Sequence, residues 1–127
     1  MSKKRTKLHI RIPPYEYPRN EWRKKLHAVF AETAQRRQVT YDELEQLELE
    51  IKLYIRETSI AAHDVDNRLK DVMDALQGRA GGPKVRRLLI PIIPNDRQIV
   101  RVTIEKLVPP WQSKGFGHVV IRRYRKD

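Results

Sequence analysis

At 127 residues the chain has room for one domain with a real core and not for two ordinary ones, and 39% hydrophobic against 34% charged residues excludes disorder throughout. It has no cysteine, which excludes disulfides, thiolate metal sites and cysteine nucleophiles and fits a reducing compartment. A formal net charge of +11 and a pI near 10.2 point to a polyanionic partner, nucleic acid first, because Lys and Arg that neutralise phosphates supply most non-specific affinity. An anionic membrane surface, an acidic partner or simple solubility are the alternatives.

Residues 1–7 form a basic tail without an apolar run behind it, and no stretch approaches the length of a membrane helix. A soluble, cytoplasmic protein with no membrane partner is expected. Leu8, Ile10 and Ile12 alternate with His9 and Arg11 as a half-buried strand does, and Pro13-Pro14 stop it. Asn20 then caps a helix with Trp22, Leu26, Val29 and Phe30 on one apolar stripe. Arg23, Lys24 and Lys25 lie off that stripe, on a face that either contacts phosphate or is merely solvated. Thr40-Tyr41-Asp42-Glu43 matches a capping box and suggests a short helical turn.

Leu47, Leu49, Ile51, Leu53 and Ile55 alternate with polar residues in the cleanest strand signal of the chain, expected to be central in the sheet. After a connection over 58–63, a second helix carries Val65, Leu69, Val72, Met73 and Leu76 on a core face and ends at Gly78. Residues 79–94 read as a long basic and apolar loop with room for a short strand. Val100, Val102 and Ile104 mark the next strand, and Val119 and Ile121 the last. The order β-α-β-α-β-β predicts a single mixed α+β domain over 1–127, a small mixed sheet with both helices on one face.

Clustered carboxylates are the anomaly in so basic a chain. His63-Asp64-Val65-Asp66-Asn67-Arg68-Leu69-Lys70 opens the second helix, Asp74 follows, and Asn95-Asp96-Arg97-Gln98 comes well downstream. Aspartates repel a phosphate backbone unless a divalent cation intervenes, and Mg²⁺ commonly joins one or two carboxylates to substrate phosphate oxygens. At about 100° per residue, Asp66, Lys70, Asp74 and Gln77 form one polar row beside the apolar stripe. Asp64 meets Asp66 if it lies on the incoming loop, and Asp96 supplies a third carboxylate if its strand starts beside the helix N-terminus. Lys70 then either stabilises developing negative charge or pairs with Asp66 or Asp74. The competing reading is that Asp64 or Asp66 only caps the helix. Asn67 either orients a ligand carboxylate or faces solvent, and His63 is a weak ligand candidate.

The string D-x-D-N-x-x-K-x-x-x-D-A-L from Asp64 through Asp66, Asn67, Lys70, Asp74, Ala75 and Leu76, followed by Asp96, Gln98, Ile99 and Val100, resembles the RusA-type Holliday junction resolvases. These are small bacterial endodeoxyribonucleases often carried by prophages. The resemblance implies a homodimer that binds four-way DNA junctions and nicks paired strands symmetrically with Mg²⁺, for which Mn²⁺ can substitute. It implies that Asp64, Asp66 and Asp96 hold the metal and that Lys70 is needed for cleavage; Asp74 matches a recurring family position, and its place on the helix allows either support of those ligands or an ion pair. The chain departs from the family at Asn95, where Asp is usual, and in a longer segment between Asp74 and Asp96. By charge, the expected phosphate contacts are Arg23, Lys24, Lys84, Arg86, Arg87, Lys114, Arg122 and Arg123. A nuclease for another branched DNA, or a non-catalytic basic protein that binds DNA or RNA, are the alternative readings.

Overall fold

Alternation of apolar and polar residues translates directly into the first strand, β1 (Leu8–Ile12), which buries Leu8, Ile10 and Ile12 and exposes His9 and Arg11. A computed structural model describes residues 7–79, 89–110 and 113–125. The expected phosphate contacts Lys84, Arg86 and Arg87 therefore lie outside the described residues, as does most of the 79–94 segment. Helix α1 (Arg19–Arg37) follows, two residues earlier than a cap at Asn20 would place it. Pro18 takes the cap position, and its carbonyl accepts the Glu21 and Trp22 N–H groups, so no capping side chain is used. Trp22, Leu26 and Phe30 are buried as the stripe predicts.

The capping-box tetrad does not start a helix. The Asp42 carboxylate instead accepts the N–H groups of Leu44 and Glu45 at 2.8 and 3.1 Å, the local side-chain turn that competes with helix formation, while Tyr41 is buried. Burial raises the Tyr41 hydroxyl far above its usual range, with Glu45 adding to the effect. Strand β2 (Leu47–Tyr54), a 3-10 turn at Ile60–Ala62, helix α2 (Val65–Leu76), a second 3-10 turn at Asp96–Gln98, and strands β3 (Ile99–Leu107) and β4 (Phe116–Arg123) complete the chain. Gly78 at φ +78° ends α2 where a Cβ would meet the Leu89 carbonyl oxygen at 2.2 Å, so the returning chain requires glycine there.

The sheet order is β1-β4-β2-β3, with β2 interior as its pattern demands. β4 runs antiparallel to β1 and β2, and β3 runs parallel to β2 with Leu47 opposite Ile99 and Tyr54 opposite Leu107. The inward residues of β1, β2 and β4 form one core with Trp22, Leu26, Phe30, Val72, Ala75 and Leu76, so both helices cover the same face. On the other face Glu48 and Arg122 stand in register and pair at 2.7 Å, with Glu50 beside them. That bond to Arg122 comes first among the causes that hold the Glu48 carboxyl below its usual value.

The face that α2 buries is rotated by about 75°, at 100° per residue, from the stripe expected of it. Arg68, Asp71, Val72, Ala75 and Leu76 are buried, whereas Leu69 and Met73 are only partly so. Asp71, fully buried, draws three guanidinium groups. Arg19 and Arg23 of α1 each approach its Oδ1 to 2.9 Å, and Arg68 Nε stands 3.2 Å from Oδ2 without hydrogen-bond geometry. The Arg68 guanidinium carbon also stands over the Tyr15 ring, 3.7 Å from its centroid. The two helices are thus joined by charge as well as by apolar contact. Asp71→Ala leaves buried guanidinium charge uncompensated and is expected to cost about 3–5 kcal/mol. Denaturant unfolding checks this, with Asp42→Ala, on an exposed turn, costing under about 1 kcal/mol by comparison.

Candidate functional site

Asp64 lies in extended backbone at the N-cap of α2, and its Oδ1 accepts the Asp66 N–H at 3.0 Å. The cap geometry holds the Asp64 carboxylate over the first turn, where Asp66 also sits, so the structure brings these two together at one helix end. Both are exposed. Lys106, reaching inward from β3, donates to the Ile60 carbonyl at 2.9 Å and the His63 carbonyl at 2.7 Å, which ties the loop before Asp64 to the far end of β3. The helix start is therefore held by a strand as well as by its own cap.

Lys70 is exposed one turn after Asp66, and no ion pair joins it to Asp66 or Asp74. Asp66 and Lys70 point nearly opposite the buried arc, out to solvent, rather than bordering the core, whereas Gln77 is half-buried at the helix C-cap. Asp74 turns toward α1 and pairs with Arg23 at 3.4 Å. Asn67 is exposed, and its backbone carbonyl accepts from Arg19 at 3.2 Å.

Asp96 does not join them within the chain. It begins the 3-10 turn that leads into β3, and because β3 runs parallel to β2, that turn lies at the opposite end of the sheet from the start of α2. The Ile92 and Ile93 N–H groups bond the carbonyl of Leu76, the last residue of α2, which places the approach to Asp96 at the helix C-terminus. A 12-residue helix separates the two ends by about 18 Å. Among the described residues no three His, Asp or Glu side chains gather as a cation site. The residues fit a metal only in a reduced form: Asp64 and Asp66 match the one or two carboxylates that Mg²⁺ commonly takes from protein, with phosphate oxygens and water completing the shell. Gln98, part of the same motif, is structural. It is buried, donates to the carbonyls of Asp42 and Glu45 at 2.8 Å, and closes a capping box with Asn95.

The expected phosphate contacts divide by their partners. Arg23 is bound to Asp71 and Asp74, Arg122 to Glu48 and Glu50, and Arg123 to Glu45. Lys24 is half exposed beside Glu21, and Lys114 is exposed with no ion pair among the described residues. Asp71 and Arg68 escaped the sequence reading, although their i, i+3 spacing inside an otherwise apolar arc was the available signal.

His63, between the loop and the cap, packs edge-on against Tyr15 at 5.1 Å. Burial lowers its pKa below 6.5, and the Arg68 and Lys106 cations add to the effect. On the open sheet face, burial likewise lowers His118, which stands 3.1 Å from His9.

No family model and no curated protein matches this chain. Among solved structures it is similar to a chain described as "Helical Model of TubZ-Bt four-stranded filament", with 11% identity and a TM-score of 0.47 over 93% of this chain and 23% of that one. The chain thus spans about a quarter of that protein's length, and the likeness bears on neither site nor activity.

Two outcomes follow from this geometry. Asp64→Ala removes a cap and is expected to cost about 1 kcal/mol by thermal unfolding, whereas Asp66→Asn, which removes charge from an exposed side chain, stays within about 0.5 kcal/mol. Because His63 and His118 bind protons less readily folded than unfolded, their contribution to stability is complete above pH 6.5 and is lost as pH falls through their lowered values. Proton NMR titration should place both below 6.5, and His118→Gln should lose less stability than wild type between pH 7 and pH 5.

Proposed function

We propose that this protein is a metal-dependent endonuclease for branched DNA, of the RusA-like junction-resolving kind, acting as a homodimer. The observation that carries the reading is the exposed Asp64 and Asp66 pair at the start of α2 with Lys70, in no ion pair among the described residues, one turn behind it, on a protein of net charge +11. Asp64 and Asp66 would hold Mg²⁺ or Mn²⁺. When bound, the cation would activate water and stabilise the leaving oxyanion of a phosphodiester. The Asp66 N–H fixes one Asp64 oxygen, leaving the other to the ligand. Lys70 lies on the same side of the helix and supplies a positive charge to a phosphate placed there. Paired nicks require two sites related by a two-fold axis, and two-fold dimers are the commonest assemblies.

A second reading is favoured by two observations: Asp64 already has a structural task as a cap, and Asp96 stands at the other end of α2. On that reading the protein binds nucleic acid through charge alone and cuts nothing. The separating experiment compares a labelled four-way junction, a flap and a matched duplex, with Mg²⁺ or EDTA. Paired nicks in the junction that disappear with EDTA and fall at least 100-fold in Asp66→Asn or Lys70→Ala, with binding retained, are the expected outcome. Tight binding by wild type without any cutting would establish the second reading, and cutting confined to flaps would change the substrate while keeping the chemistry.

A further inference from the structure

Where the chain leaves β2, Arg56, Ser59 and His63 face Tyr54 and Lys114 across a notch of about 100 Å³. Among the described residues no carboxylate lines it. Several arginines are engaged elsewhere: Arg19, Arg23, Arg36, Arg68, Arg122 and Arg123 each hold a carboxylate within 3.2 Å. Arg56 has no such partner among the described residues. Its Nε makes one long bond, 3.4 Å, to the Ser113 carbonyl, and its terminal nitrogens, the Ser59 hydroxyl and the Lys114 ammonium make no hydrogen bond with the described residues. An arginine fork, an ammonium and a hydroxyl around one small concavity are the donors that a tetrahedral phosphate takes, and charge-assisted bonds of this type are the strong ones. The concavity also has an address, because His63 in its wall immediately precedes Asp64.

We propose that this notch holds a backbone phosphate of the bound nucleic acid, with Arg56 and Lys114 as its cationic arms and Ser59 as a neutral donor. Its position makes it the subsite for a phosphate flanking the one at Asp64 and Asp66, a placement that rests on the nuclease reading, whereas the notch itself does not. Arg56 and Lys114 are exposed, so their replacement leaves the core intact.

The test is an NMR titration with inorganic phosphate, followed through the Arg56 side chain and the Ser59 and Lys114 amides, beside junction binding in EDTA over a range of salt. Wild type is expected to show saturating shifts at these three residues. In Arg56→Gln/Lys114→Gln the shifts disappear, junction affinity falls roughly tenfold, and the slope of log affinity against log salt becomes shallower by about 1. Arg36→Gln, which removes a cation paired with Glu32 near the end of α1, is expected to leave the three shifts in place. Shifts spread over the basic surface without saturation, or an unchanged salt slope, would overturn the notch. Junction cleavage on the same samples keeps the two ideas apart. Cutting without notch shifts defeats the notch alone, and notch shifts without cutting defeat the nuclease while the phosphate site stands.

Discussion

The parallel pairing of β2 with β3 decides which residues can meet. A parallel pair needs a crossover, and α2 supplies it, running back along the sheet from the end of β2 toward the start of β3. Whatever begins α2 must therefore lie at one end of the sheet, and whatever begins β3 at the other. Lys106 secures the first end by binding the Ile60 and His63 carbonyls, and Ile92 and Ile93 secure the second by binding Leu76. Asp64 and Asp66 belong to one end and Asp96 to the other, a separation that no side-chain rotation closes.

Charge is organised by the same two-layer arrangement. A net charge of +11 suggests a uniformly basic surface, yet much of the arginine is consumed internally. Asp71 takes Arg19, Arg23 and Arg68 at the helix contact, and Glu48 and Glu50 take Arg122 on the open sheet face. A buried carboxylate among several guanidiniums is weak support for stability by itself, because desolvation offsets the attraction, but it makes the loss of either partner costly. It fixes how α2 lies on α1, and so where the polar row of α2 points. Lys70, Lys106, Arg56 and Lys114 are left without carboxylate partners among the described residues.

Much of this fold was legible in the sequence, because alternation over Leu8–Ile12 and Leu47–Tyr54 and the stripe of Trp22, Leu26 and Phe30 each have one structural solution. The α2 face was misjudged because the pattern counted only apolar residues, while Arg68 and Asp71 are buried as mutual partners. Thr40 to Glu43 imitates a capping box that Asp42 resolves into a turn. Proximity of Asp64 and Asp66 follows from two residues of spacing. The position of Asp96 depended on strand direction, a long-range property that no local pattern encodes, and Arg23, Arg122 and Arg123 could be assigned their carboxylates only once the sheet and helices were in place.

On the proposed reading, a divalent cation meets this protein at the start of α2. Paramagnetic broadening by Mn²⁺ in amide-resolved NMR tests that most directly, since it reports position without requiring activity. Broadening centred on Asp64 to Asn67, lost in Asp66→Asn and sparing Asn95 to Gln98, is the predicted result. Broadening centred on Asn95 to Gln98, or none at any described residue, would contradict it.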